Sequence, residues 1–118
     1  MRIEKLLVDS NVLLRLSDLS SPQHPICRQA MLECIRKGIP LTVCTQILIE
    51  FWSVSTRPLD VNGLNRTMDD TYQSCLDILN FALFLPEPED IFDRWLDLVH
   101  RYEVRGKQVH DARLVAFA

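Results

Sequence analysis

The apolar run Leu6-Leu7-Val8 ends in an acid, Asp9, and after Ser10 and Asn11 a second apolar run begins with Val12-Leu13-Leu14. A short continuous apolar run reads as a buried strand. An acid closing it sits at the strand's C-terminal end, where open α/β sheets form their ligand crevice. Two further short runs have the same character, Leu41-Thr42-Val43-Cys44 and residues 81–85, the second stopped by Pro86-Glu87-Pro88.

Helical patterns fill the intervals. Residues 11–16 suit a short helix, and the polar stretch 20–25 with its two prolines marks a break. From Pro25, Ile26, Ala30, Met31, Cys34 and Ile35 recur at three- and four-residue spacing and predict a helix with an apolar core-facing stripe, which Gly38 stops. Thr45 is placed to cap a third helix, which carries Glu50 and ends at Arg57-Pro58. Residues 58–66, with Asn62-Gly63, read as a surface loop. Thr67 opens a helix to about Asn80, with Asp69 and Asp70 at the positive end of its dipole. Residues 89–102 form another, with Ile91, Trp95, Leu98, Val99 and Tyr102 on one side. Gly106 interrupts the pattern, and a last helix begins near His110 and is still running at Ala118. Strands alternating with helices predict an α/β fold with a parallel sheet and right-handed crossovers.

The 118 residues suit one domain, and 47% hydrophobic content supplies a real core. No apolar run approaches the roughly 20 residues needed to span a bilayer, and the first five residues lack a signal-peptide pattern, so a cytoplasmic protein is expected. A net charge of −3 argues against broad attraction to nucleic acid, while leaving local phosphate contacts by cations such as Arg101, Arg105, Arg57 and Lys107 open. The four cysteines show no zinc-site spacing. Cys27 and Cys34, seven apart on one helix, stand about 10 Å from each other, too far for a disulfide. Reduced, buried thiols are expected.

Asp9, Glu50 and Asp111 are each embedded in apolar sequence, and together suggest one converging site. Each also has a plain structural explanation. Asp9 suits a helix cap, Glu50 a partly buried partner of Arg57 or Arg28, and Asp111 an ordinary first-turn acid. His110 beside Asp111 reads better as a structural neighbour than as a proton-transfer group. Trp52, Trp95, Phe51 and Phe92, at helical spacing among apolar neighbours, read as core or dimer interface rather than as base-stacking platforms.

In order and spacing, Val8-Asp9-Ser10-Asn11, the stretch from Thr45 through Glu50 to Trp52, the loop Thr56-Arg57-Pro58 with Asn62-Gly63-Leu64, and His110-Asp111-Ala112-Arg113 resemble the PIN domain, and within it the VapC-type toxins of bacterial toxin–antitoxin pairs. The resemblance implies a PIN-like parallel sheet with helices on both faces. It also implies a metal-dependent ribonuclease acting on single-stranded RNA, held in check by an antitoxin protein. On motif positions Asp9, Glu50 and Asp111 correspond to the first three acids of a Mg²⁺ or Mn²⁺ site, with Asn11 supporting the first. The family pattern continues through further strands and a fourth acid, so a domain incomplete at its C-terminus is expected. The first strand would then lie at a sheet edge, which predicts a homodimer or larger self-association.

Acids suit this chemistry because phosphodiester hydrolysis needs hard cations, and these prefer carboxylate and water oxygens. A haloacid-dehalogenase-like phosphotransferase would want Asp-x-Asp, but Asn11 stands in the second acid's place. A response-regulator receiver would want an acid after the third strand, where Leu85-Pro86 stand. The alternative of another class is a degenerate PIN domain that binds a protein partner without turnover.

Overall fold

A computed structural model of the chain describes residues 5–117. The expectations about the N-terminal residues 1–4 and about Ala118 lie outside the described residues. The chain forms two compact units, Met1–Leu85 and Pro86–Ala118.

The first unit is built on three short parallel strands, β1 (Leu6–Leu7), β2 (Leu41–Val43) and β3 (Leu83–Phe84), in the order β1-β2-β3. The middle strand carries the core: Leu41, Thr42, Val43 and the following Cys44 are all buried. A polar Thr42 is tolerated there because its Oγ1 donates to the Leu6 carbonyl at 2.9 Å. The ladder extends past the strands through Val8 N–H to Thr42 O (2.9 Å) and Leu85 N–H to Val43 O (2.8 Å). Among the described residues the outer edge of β1 is unpaired, as the sequence predicts.

Helix α1 (Ser10–Ser17) leaves β1 directly, and α3 (Thr45–Thr56) leaves β2 in the same way. Leu13 on α1 and Ile47 and Phe51 on α3 are fully buried, and the two helices pack against each other. The cap of α3 differs from expectation. Cys44 occupies that position without a side-chain bond, while Thr45 is the exposed first helical residue.

Helix α2 (His24–Arg36) ends where Gly38 adopts φ +72°, allowing Ile39 N–H to reach back to Cys34 O at 2.9 Å. Its stripe is not core, however. No α2 residue is buried, and Ile26 is 70% and Ile35 51% exposed. All four cysteines are free, but only Cys44 is buried, which corrects the expectation for Cys27, Cys34 and Cys75.

The loop after α3 is more constrained than a surface loop. It contains a 3-10 turn, Leu59–Val61, and returns onto α3. Leu64, Asn65 and Arg66 N–H groups bond Val54, Arg57 and Ser55 carbonyls at 3.0, 2.9 and 2.8 Å. Helix α4 (Met68–Phe81) is capped by Thr67, whose hydroxyl accepts from Asp70 N–H at 3.1 Å. It runs through Phe81, shortening the strand expected over 81–85 to β3.

In the second unit α5 (Ile91–Arg101) packs on α6 (Gln108–Phe117), and Trp95 Nε1 donates to Val109 O at 2.8 Å. Arg113 pairs with Glu87. α6 begins two residues before the expected start.

Candidate functional site

Two of the three predicted acids come together in the first unit. Asp9 occupies the N-cap position of α1 with extended backbone (φ −69°, ψ 153°), and its main-chain carbonyl accepts from Val12 and Leu13 N–H at 3.1 and 3.2 Å. Its carboxylate makes no capping bond. This removes the plain explanation for an acid here, since a capping Asp owes its preference to a side-chain bond with the helix's first N–H groups. The carboxylate is exposed, and its Oδ1 lies 3.3 Å from the Ser10 hydroxyl.

The same hydroxyl lies 3.2 Å from Oε2 of Glu50, so Ser10 Oγ–H stands between the two carboxylates and can donate to either. Ser10 is only 7% exposed. Glu50, half-buried on α3, receives a second bond at Oε1 from Gln46 Nε2 at 3.1 Å. The pairing with Arg57 or Arg28 that the sequence allowed is not made: Arg57 donates instead to Ser53 Oγ at 3.2 Å. α1 and α3 each follow a neighbouring parallel strand. The pair therefore stands at the C-terminal ends of β1 and β2, where α/β sheets place ligands.

The site is rich in acceptors. Two carboxylates share one hydroxyl proton, and none of the ion pairs formed by Arg36, Arg94, Arg101 and Arg113 involves Asp9 or Glu50. Hard carboxylate oxygens outside these ion pairs suit a small divalent cation that keeps several of its waters. Among the described residues no group of three or more His, Cys, Asp and Glu side chains could hold a metal, so the local donor set is this pair.

The other predicted residues are placed as follows. Asn11 is exposed on the first turn of α1. It is Ser10, not Asn11, whose side chain reaches the Asp9 carboxylate. Asp111 is exposed in the first turn of α6, along a 510 Å³ groove that also includes Leu98, Tyr102 and Gln108. His110 and Trp95 line a separate 280 Å³ pocket. Arg57 caps the C-terminal end of α3, and exposed Lys107 immediately precedes α6. Of the aromatic residues, Phe51 is core, Trp52 and Trp95 are half-buried, and Phe92 is 61% exposed. Sequence reasoning missed Ser10 and Gln46 as site residues. For Gln46 a signal was present: it stands four residues before Glu50, the spacing at which helical side chains meet.

The fold defined by this sheet and its helices is PIN-like, as the sequence resemblance implies. It matches the crystal structure of VapC20 from Mycobacterium tuberculosis, a toxin that cleaves the Sarcin-Ricin loop. The TM-score is 0.68 at 13% identity, over 95% of this chain and 79% of that one. Neither a family model nor a curated protein sequence matches the chain.

Proposed function

We propose that this protein is a divalent-metal-dependent endoribonuclease of the toxin–antitoxin kind, cutting single-stranded RNA. The observation that carries the reading is the Asp9–Ser10–Glu50 arrangement: two acids from different elements meet over one hydroxyl, and among the described residues neither takes part in the ion pairs formed by Arg36, Arg94, Arg101 and Arg113. Bringing like charges together costs free energy unless a partner offsets it, and a bound cation is such a partner. The PIN-like fold supplies independent support.

Asp9, the more exposed acid, is the direct ligand for Mg²⁺ or Mn²⁺, and Glu50 holds the ion or its water. When bound, the metal activates water and neutralises charge on the scissile phosphate. Ser10 stands within hydrogen-bonding distance of both carboxylates and holds them about its hydroxyl. Asp111 enters as the third acid, and Asn11 as a supporting residue, on the sequence resemblance alone. Arg57 and Lys107 are the proposed RNA-phosphate contacts. An antitoxin-like protein and a second copy of this chain are the proposed partners, the latter on the unpaired edge of β1. The cytoplasm is the proposed site of action; among the described residues no helix is long and apolar enough to cross a membrane.

The test is cleavage of an unstructured RNA oligonucleotide in Mn²⁺. Cleavage is expected to vanish with EDTA and in Asp9→Asn. Cleavage that persists in Asp9→Asn overturns the assignment, and none by folded wild-type protein in Mn²⁺ overturns the nuclease reading in favour of a non-catalytic binding module.

A further inference from the structure

Gln46 lies one turn before Glu50 on the same face of α3 and is 7% exposed. Its Nε2 donates to Glu50 Oε1 at 3.1 Å, while Ser10 Oγ, from α1, stands 3.2 Å from Oε2. Each oxygen of this carboxylate is therefore met by a separate buried donor, and the two donors come from different elements. A carboxylate bonded at one oxygen can still turn about its last torsion; bonded at both, it is fixed.

The chemical type of the donors matters as much as their positions. Lys or Arg in place of Gln46 would also bond Glu50, but would cancel its charge. An amide and a hydroxyl orient the carboxylate and leave the negative charge of the Asp9–Glu50 pair intact. A bare surface Glu would keep its charge but lose its orientation, giving up the hold on metal-binding groups that outer hydrogen bonds provide.

We propose that Gln46 is a positioning residue. It fixes the rotation of the Glu50 carboxylate so that Oε2 stays on the hydroxyl shared with Asp9, and it does so without neutralising the pair. The consequence for metal affinity rests on the metal-site reading given above, whereas the orienting contact stands apart from it.

The experiment has a metal-free and a metal-bound arm. In EDTA, thermal unfolding is measured for wild type, Gln46→Met, Glu50→Ala and the double variant. Methionine nearly preserves the volume of Gln46 and removes the donor. If Gln46 acts through Glu50, the double variant loses less melting temperature than the sum of the single losses. Mn²⁺ is then titrated calorimetrically into wild type, Gln46→Met and Gln46→Lys. Affinity is expected to fall about 10- to 100-fold in Gln46→Met, the usual cost of losing an outer hydrogen bond at a metal site. It is expected to fall in Gln46→Lys too, because that variant retains a donor to Glu50 but cancels its charge, while the non-additive melting loss with Glu50→Ala is the readout that a merely structural role of Gln46 would not produce. Additive melting losses, or wild-type Mn²⁺ affinity in Gln46→Met, overturn the proposal. Wild-type protein that binds no Mn²⁺ overturns the metal reading and the charge argument with it, while additivity still decides whether Gln46 holds Glu50.

Discussion

Ser10→Ala removes one oxygen from the centre of the site and leaves both acids in place. The hydroxyl carries a single proton between Asp9 Oδ1 and Glu50 Oε2, at 3.3 and 3.2 Å, so one charge-assisted hydrogen bond is lost rather than two. Hydrogen bonds to charged groups contribute about 1.5–3 kcal/mol. These distances are longer than those of strong O–H···O⁻ bonds, which places this one at the low end of that range. Alanine at the first position of α1 returns about 0.5 kcal/mol through helix propensity. The net loss is therefore about 1 kcal/mol, or roughly 3–5 °C in melting temperature for a chain of this size. Urea unfolding of the metal-free protein should show a lower midpoint with an unchanged slope, since no additional surface is exposed. Most of that loss should disappear when the substitution is made in a Glu50→Ala background, because the shared acceptor is gone. A Ser10→Ala midpoint equal to wild type, or the same loss with and without Glu50, would refute the reasoning.

Three further outcomes can be checked. Gly63→Ala should destabilise by about 3 kcal/mol or more, read by urea unfolding, because a Cβ there would overlap the Arg57 backbone oxygen in a loop bonded back onto α3; a wild-type midpoint would contradict the close approach. Burial pushes the Cys75 thiol up, with Arg66 opposing, so the folded protein holds that proton more tightly than the unfolded chain. This contribution to stability is present below the ordinary thiol range and is lost as pH rises through the folded value. Arg66→Ala should push the thiol further up and slow alkylation of Cys75 near pH 8, followed by mass spectrometry; faster alkylation would contradict the assignment. Light scattering coupled to size-exclusion chromatography should show self-association weakened by Leu6→Lys on the edge strand, and a monomer at all concentrations would contradict it.

Much of the fold was legible because short apolar runs and helix stop signals are local. Leu6-Leu7-Val8, the central Leu41-Thr42-Val43, the Gly38 stop and the Thr67 cap all stand where their chemistry predicts. The departures arise where tertiary packing outweighs pattern. The α2 stripe has core periodicity, yet none of its residues is buried, because periodicity specifies a face and not what covers it. Phe81 reads as strand but is taken into α4. In the site, Asp9 and Glu50 were visible as acids in apolar surroundings. Ser10 was not, since a hydroxyl after an acid is commonplace and only the meeting of α1 with α3 gives it a second carboxylate.

Calorimetric titration of Mn²⁺ into wild type, Asp9→Asn, Glu50→Gln and Asp111→Asn tests the central claim most directly. Saturable binding by the wild type that is lost in Asp9→Asn and weakened in Glu50→Gln is predicted, with Asp111→Asn reporting whether the third acid takes part. Folded wild-type protein that takes up no Mn²⁺, or binding that Asp9→Asn leaves unchanged, would contradict the account.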